Sequence, residues 1–167
     1  MLSSGTMTVE FVHLLLLIII ANASPVLAQM LLGEKLNSPV DWNAKLSDNN
    51  PLFGSSKTWR GICAALLMTV MAAVVLSYSF KTGLLIASYA VFGDLLSSFI
   101  KRRFALPPSS RALLLDQVPE SFFPAFMMRN VFNVDTPSLT LLVFFFIVID
   151  TMTTYFLVRW RRFRKSY

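Results

Sequence analysis

The sequence contains very little of the chemistry that enzymes build on cysteine and histidine. Cys63 and His13 are the only cysteine and the only histidine among 167 residues. A disulfide framework and a cysteine-rich zinc site are therefore excluded, and a Ser/His/Asp triad would have to use His13. Any reaction must rely on carboxylates, lysine, arginine, hydroxyl groups and amides.

Charged residues are also scarce. Asp, Glu, Lys and Arg make up 14% of the chain, against roughly 25% in a typical soluble domain, and hydrophobic residues make up 55%. This composition excludes an ordinary soluble globule and a disordered chain. We therefore expect an integral membrane protein, folded as a single all-α helix bundle over residues 1–167.

Five segments have the composition of a membrane-spanning helix. A span needs about 20 apolar residues, because the hydrocarbon core is about 30 Å thick. The predicted spans are 11–33, 61–80, 83–100, 118–132 and 136–158. Segment 118–132 is the weakest, since it contains Glu120, Arg129 and two prolines. Pro25 lies within the first segment and predicts a kink or break there.

The start of the chain also resembles a secretory signal peptide. An apolar core over residues 14–20 is followed by small residues of the kind found at cleavage sites. Residues 1–10 contain no Lys or Arg, however, so the positive region of a signal peptide is missing. We expect the first helix to be retained.

The basic residues are distributed unevenly along the chain. Apart from Lys81 and Arg129, they form three clusters that follow the first, third and fifth predicted spans. The clusters are Lys35, Lys45, Lys57 and Arg60; Lys101, Arg102, Arg103 and Arg111; and Arg159, Arg161, Arg162, Arg164 and Lys165. Five spans place all three on one face, which the positive-inside rule makes cytoplasmic. The N-terminus is then expected outside, and the net charge of +6 implies membrane lipids rather than a nucleic acid as partner.

Two of the predicted cytoplasmic segments are rich in groups that bind phosphate. The first, 49–61, combines Lys57 and Arg60 with hydroxyl groups and glycines, and it leads into a helix N-terminus that favours an anion. It is not a nucleotide P-loop, because Ser56 rather than glycine precedes Lys57 and no strand precedes the loop. A basic loop that contacts lipid headgroups is the alternative.

The second segment runs from the third span into the following loop. Asp94, Ser98 and Lys101 have the spacing i, i+4, i+7, so they share one helical face. A carboxylate within a span costs roughly 2.5–3.5 kcal/mol on insertion scales and is a candidate functional residue. Asp94 and Asp116 are candidate ligands for Mg²⁺. The alternatives are a buried ion pair for Asp94 and a helix N-cap for Asp116.

Two other polar residues have structural interpretations. Asp150 lies within the fifth span beside several threonines, a pattern that predicts an interhelical hydrogen bond. His13 is expected at the outer membrane interface.

Together these motifs resemble the CDP-archaeol synthase family. The resemblance is carried by blocks 52–61, 92–95, 98–103 and 115–117, supported by 21–26 and 39–41. It implies a membrane cytidylyltransferase that joins CTP to a lipid phosphate with Mg²⁺, releasing a CDP-lipid and pyrophosphate. The lipid phosphate could be archaeol-phosphate-like or phosphatidate-like.

The resemblance implies a role for each candidate site residue. Lys57, Arg60, Lys101 and Arg102 would act as catalytic cations, Asp94 and Asp116 would hold Mg²⁺, and Asn22, Ser56, Thr58, Ser98 and Gln117 would contact the substrates. A small non-enzymatic transporter or lipid-binding scaffold is the alternative. The polar motifs all lie at cytoplasmic ends, where CTP is available, and this placement favours the enzyme. The sequence leaves a homo-oligomer open.

Overall fold

The structure, a computed structural model, describes residues 4–107 and 113–165, and Arg111 of the second basic cluster lies outside them. The described residues form five helices and no strand, so the predicted all-α bundle is confirmed. The helices are α1 (Ser4–Leu32), α2 (Trp59–Val75), α3 (Phe80–Arg103), α4 (Leu113–Met128) and α5 (Thr136–Lys165). Helix α3 packs against α1, α2 and α4, and α5 packs against α4 and α1.

Three helices are long and apolar enough to cross a membrane. They contain the stretches Val9–Leu32, Phe80–Arg103 and Thr136–Phe156. Helices α2 and α4 have 17 and 16 residues, which at 1.5 Å per residue is about 25 Å, less than the hydrocarbon thickness. That all five helices cross therefore stays a prediction. Helix α2 ends before the predicted limit, because Ser77 turns the chain with φ 65° and Ser79 caps α3.

Helix α1 continues through Pro25, so of the predicted kink or break the break is wrong and the kink stays a prediction. Polar side chains bond the backbone just before the proline: Asn22 Nδ2 donates to Ile18 O at 2.9 Å, and Ser24 Oγ donates to Ile20 O. Gly61 at the start of α2 packs against the proline ring, where a Cβ atom would lie 3.2 Å from Pro25 Cβ. The start of α2 therefore lies directly against the Pro25 turn of α1.

The helices divide into an apolar half and a polar half. Buried apolar side chains fill the half that contains the α2–α3 and α4–α5 turns; they include Leu14, Leu17, Ile18, Ile86, Phe132, Leu142 and Phe146. His13 lies there too, with Nδ1 3.1 Å from the Tyr78 hydroxyl. In the other half the same helices surround a polar cavity. The apolar core therefore stabilises the bundle at one end, and polar groups line the cavity at the other end.

Helices α3 and α4 approach each other most closely at Gly93. A Cβ atom at this position would lie 2.3 Å from Pro119 O and 2.9 Å from the Glu120 backbone nitrogen. Both neighbours are backbone atoms, so no side chain could rotate away. The glycine thus lets α4 bring Glu120 against the residue that follows Gly93, which is Asp94.

Gly93→Ala should force the two helices apart. Overpacking of a close backbone contact typically costs about 1–3 kcal/mol, and we expect a lower unfolding temperature in detergent for this reason. Ser88→Ala, at an exposed position of the same helix, is the control and should leave the unfolding temperature unchanged. An unfolding temperature of the Gly93→Ala protein equal to that of the wild type would contradict the close contact.

Candidate active site

A cavity of about 660 Å³ opens at the polar end of the bundle. Residues from all five helices and from the α1–α2 loop line it. Its charged lining residues are Lys57, Arg60, Asp94, Lys101, Asp116, Glu120 and Asp150. The structure therefore brings both segments that the sequence predicts to bind phosphate to one cavity, together with carboxylates from three helices.

Lys57 lies close to two carboxylates. Its ammonium group forms an ion pair with Asp94, and Glu120 lies close to both, within hydrogen-bonding reach of Asp94. Burial alone would lower the pKa of Lys57, but the charges of Asp94 and Glu120 outweigh it and raise the pKa above its ordinary value. Lys57 is therefore a fixed cation at the cavity wall.

A second ion pair lies on the same wall. Lys101 Nζ is 2.7 Å from Asp116 Oδ1, and the lysine side chain is almost fully buried. Arg102, next in sequence, is buried, but it does not line the cavity; its Nη2 donates to Pro107 O at 3.1 Å. Of the cations predicted on α3, Lys101 is thus the one at the cavity surface.

The α1–α2 loop is organised by the buried carboxylate of Asp41. Oδ2 accepts hydrogen bonds from the backbone nitrogens of Phe53 and Gly54 at 2.9 Å, and Oδ1 accepts one from Asn43 at 3.0 Å. Burial raises the pKa of Asp41, but these backbone donors outweigh it and lower the pKa below its ordinary value. Asp41 therefore joins the first part of the α1–α2 loop to the part that precedes Lys57.

Asp41→Asn should destabilise this loop, because one of the two oxygen positions would then carry an N–H group facing a backbone donor. We expect a loss of about 2 kcal/mol, the usual size for hydrogen bonds to a charged group. Since the folded pKa is lowered, the stabilisation is present above the unfolded pKa of about 3.9 and is lost as pH falls through the folded value. Thermal unfolding at pH 7 and at pH 3 measures this.

Glu34→Gln is the matched control for the loop, since Glu34 is exposed and a glutamine can still accept from Asn37. It should leave the unfolding temperature unchanged. An Asp41→Asn protein as stable as wild type at pH 7 would show that the carboxylate does not hold the loop.

Arg60 connects the end of α1 to the start of α2. Its Nη1 donates to Gly33 O at 2.8 Å and also to Lys35 O, both in the turn that follows α1. Nη2 lies 3.5 Å from Asn37 Oδ1. Arg60 also lines the cavity, but its guanidinium is engaged by main-chain carbonyls.

The other predicted site residues fall into two groups. Asn22, Ser56, Thr58 and Gln117 line the cavity, and Thr58 Oγ1 also caps α2 by accepting from the Gly61 backbone nitrogen. Ser98 is buried and does not line it. The shared helical face of Asp94 and Lys101 thus reaches the site, whereas Ser98 lies outside the cavity lining.

Gln117 joins α4 to α5 inside the cavity. Its Nε2 donates to Asp150 Oδ2 at 2.7 Å and to Thr151 Oγ1 at 3.1 Å. Only 5% of Gln117 is exposed. The interhelical hydrogen bond predicted for Asp150 is therefore confirmed, with Gln117 as its partner.

Glu120 is a cavity residue that its residue type and position did not indicate. In the sequence it makes segment 118–132 less apolar, whereas in the structure its side chain lies at the cavity beside Asp94. One signal could have found it: Glu120 follows Asp116 by four residues, so a helix places both on one face.

The cavity offers the donor chemistry that Mg²⁺ prefers. Mg²⁺ is usually bound through one or two carboxylates, with water and substrate phosphates completing its shell. Asp94 and Asp116 both line the cavity. In the described part of the chain, no group of three or more Asp, Glu, His or Cys residues is arranged to hold a metal by itself. The residues therefore fit a metal shared with a phosphate ligand rather than a cation held by protein alone.

Comparison with known proteins points to one family. The sequence model of the CarS-like CDP-archaeol synthase family matches residues 6–161. CDP-archaeol synthase of Pyrococcus furiosus is 40% identical over 107 residues, which cover 58% of this chain and 60% of the relative. The enzyme of Thermococcus gammatolerans is 39% identical over 109 residues, 59% of this chain and 60% of the relative. These alignments span about three fifths of the curated relatives.

A solved structure has the same fold. It is described as an intramembrane enzyme for archaeal membrane lipid biosynthesis, and it superposes with a TM-score of 0.70 at 25% identity. The match covers 86% of this chain and 92% of that one. With its long apolar helices, the chain is a membrane protein, and it belongs to the CDP-archaeol synthase family.

Proposed function

We propose that this protein transfers CMP from CTP to a membrane lipid phosphate, giving a CDP-lipid and pyrophosphate. The observation that carries the proposal is the cavity in which Lys57 and Lys101 are each paired with a carboxylate, Asp94 and Asp116. Such ion pairs suit the binding of a polyphosphate. Its oxygens can replace the carboxylates as partners of the lysines, and the carboxylates can then bind a metal cation. A transporter or a lipid-binding scaffold is not favoured, given the family.

The reaction requires positioning more than covalent chemistry. An oxygen of the lipid phosphate attacks the α-phosphorus of CTP, the bond from that phosphorus to the bridging oxygen breaks, and pyrophosphate leaves with the electron pair. Lys57 and Lys101 would neutralise the charge on the phosphate oxygens and on the leaving group. Ser56 and Thr58, beside Lys57 in the loop, would donate hydrogen bonds to phosphate oxygens.

Asp94 and Asp116 would hold Mg²⁺, which when bound neutralises the triphosphate. Arg60 fits a positioning role, because its hydrogen bonds to Gly33 O and Lys35 O fix the loop that carries Lys57. Asn22, on the α1 wall of the cavity, would contact the lipid headgroup. Arg102 and Ser98 are buried and do not line the cavity, so they would support the cavity residues rather than contact the substrates.

A lipid panel tests the proposal. Purified protein in detergent, with CTP and Mg²⁺, is offered archaeol phosphate, phosphatidate and a lipid without a phosphate. We expect a CDP-lipid and an equal amount of pyrophosphate with at least one lipid phosphate and none with the third lipid. Folded protein that forms no CDP-lipid from either phosphate would reject the proposal.

We also propose that the cavity faces the cytoplasm of the cell membrane, in a single five-span domain over residues 1–167. The described members of the three basic clusters flank the polar end: one group lies in the α1–α2 loop and at the start of α2, one at the end of α3 and one at the end of α5. Positive charge marks cytoplasmic segments.

Cysteine labelling tests this orientation in a Cys63→Ser background. Ser47→Cys, in the α1–α2 loop, should react with a membrane-impermeant maleimide only from the cytoplasmic side. Asn130→Cys, in the α4–α5 turn, should react only from outside. Labelling with the opposite sidedness would invert the proposed topology.

A further inference from the structure

One polar corner of the cavity has no use in the phosphate chemistry. Asp150 and Thr151 on α5 line the cavity, and both accept hydrogen bonds from Gln117 on α4. In the described part of the chain, the ion pairs of the cavity join Lys57 to Asp94 and Lys101 to Asp116. A carboxylate on this apolar helix costs free energy of membrane insertion, which makes Asp150 a candidate ligand-binding residue.

One oxygen of Asp150 is available to that ligand. Gln117 donates to Oδ2, and the described residues place no donor on Oδ1. The Gln117 side chain is more than nine-tenths buried, and its own Oε1 has no hydrogen-bond partner among the described residues. Gln117 therefore fixes the carboxylate while one of its oxygens remains a free acceptor.

The chemistry of this acceptor limits what can bind there. The printed partner of Asp150 is the neutral Gln117 amide rather than a cation, and a carboxylate without a paired cation repels phosphate groups. The triphosphate and the lipid phosphate therefore belong with Lys57 and Lys101, which are cations. The remaining part of CTP is the nucleoside, and a carboxylate is the side chain that accepts a hydrogen bond from the 4-amino group of cytosine. Uracil carries a carbonyl oxygen at that position. This oxygen and the carboxylate are both hydrogen-bond acceptors, so they would repel each other.

We propose that Asp150, held by Gln117, accepts a hydrogen bond from the 4-amino group of cytosine and so selects CTP over UTP. This inference rests on the proposed function and adds the group that recognises the base. Thr151, bonded to the same amide, holds the Gln117 side chain in place.

Asp150→Asn tests the assignment because Gln117 orients the new amide. The asparagine oxygen should take the place of Oδ2 and accept from Gln117 Nε2, which leaves an N–H₂ group where Oδ1 was. The group that faces the cavity changes from a hydrogen-bond acceptor to a donor. It can then donate to the uracil carbonyl, but it can no longer accept a hydrogen bond from the cytosine amino group. We expect the ratio of kcat/KM for CTP to that for UTP to fall at least about tenfold, with UTP turnover above that of the wild type.

Asp150→Ala and a modified nucleotide complete the test. Wild-type protein should use the triphosphate of 2-pyrimidinone riboside, which lacks the 4-amino group, at least about tenfold less well than CTP. Asp150→Ala should use the two alike, without a gain for UTP. Thr153→Val, at an exposed position outside the cavity lining, should keep the wild-type ratios.

Each outcome decides the inference. Unchanged nucleotide ratios in both Asp150 variants would overturn it, as would a change confined to the preference for CTP over dCTP, which would assign the ribose. If Asp150→Asn does not fold, Asp150→Ala with CTP and the 2-pyrimidinone nucleotide gives the result. Wild-type protein that makes no CDP-lipid would reject the proposed function instead, so the two failures are distinguishable.

Discussion

Asp94→Asn should reduce kcat/KM for CTP at least about 100-fold, equivalent to about 2.7 kcal/mol of transition-state stabilisation. The substitution keeps the size of the side chain but removes the charge that a divalent cation requires. The fold should survive, because Glu120 still lies beside Lys57 and can balance its charge. Turnover and thermal unfolding measured on one preparation separate the two effects.

Glu10→Gln is the matched control for charge removal. Glu10 accepts a hydrogen bond from Asn133 at the apolar end of the bundle, far along α1 from the cavity, and a glutamine can still accept it. This variant should keep wild-type turnover. A stable and fully active Asp94→Asn protein would remove the centre of the proposed site, and a loss of activity explained by unfolding would make Asp94 a structural partner only.

Lys57→Met should also lower turnover at least about 100-fold, since it removes the cation that we assign to the phosphate oxygens. It should destabilise the protein as well, because Asp94 and Glu120 would then lie side by side without a positive charge close to them. The measurements are again kcat/KM with CTP and the unfolding temperature.

A double variant separates these two consequences. Lys57→Met combined with Glu120→Gln removes one of the opposed carboxylates, so the unfolding temperature should recover toward that of the wild type. Turnover should stay low, because the phosphate-binding cation is still missing. Recovery of turnover together with stability would show that Lys57 serves only to balance its neighbours.

The helices were predictable because apolar composition over a long window is a local property. Residues 136–158 contain one charged residue, Asp150, and they fall within a helix that starts at the predicted position. The limits of α2 and α4 were not predictable in this way. They depend on turns such as those at Ser77, after α2, and at Asn133, after α4, where non-glycine residues adopt a positive φ.

The candidate site was predictable where residue type and spacing restrict the chemistry. Asp94 and Lys101 share a helical face, and both reach the cavity. The bonds of Arg60 to the end of α1 could not be predicted, because they span 25 to 27 residues and depend on where the loop folds back. The loop contacts of Asp41 have the same origin, since its partners Phe53 and Gly54 are 12 and 13 residues away.

The fate of each phosphorus of CTP tests the central claim most directly. Purified protein with Mg²⁺ and a lipid phosphate is given CTP labelled with ³²P either at the α or at the γ position, and the organic and aqueous phases are then separated. The account predicts that the α label enters the lipid as CDP-lipid, while the γ label leaves in pyrophosphate. Transfer of the γ label to the lipid, or folded protein that transfers neither label, would contradict it.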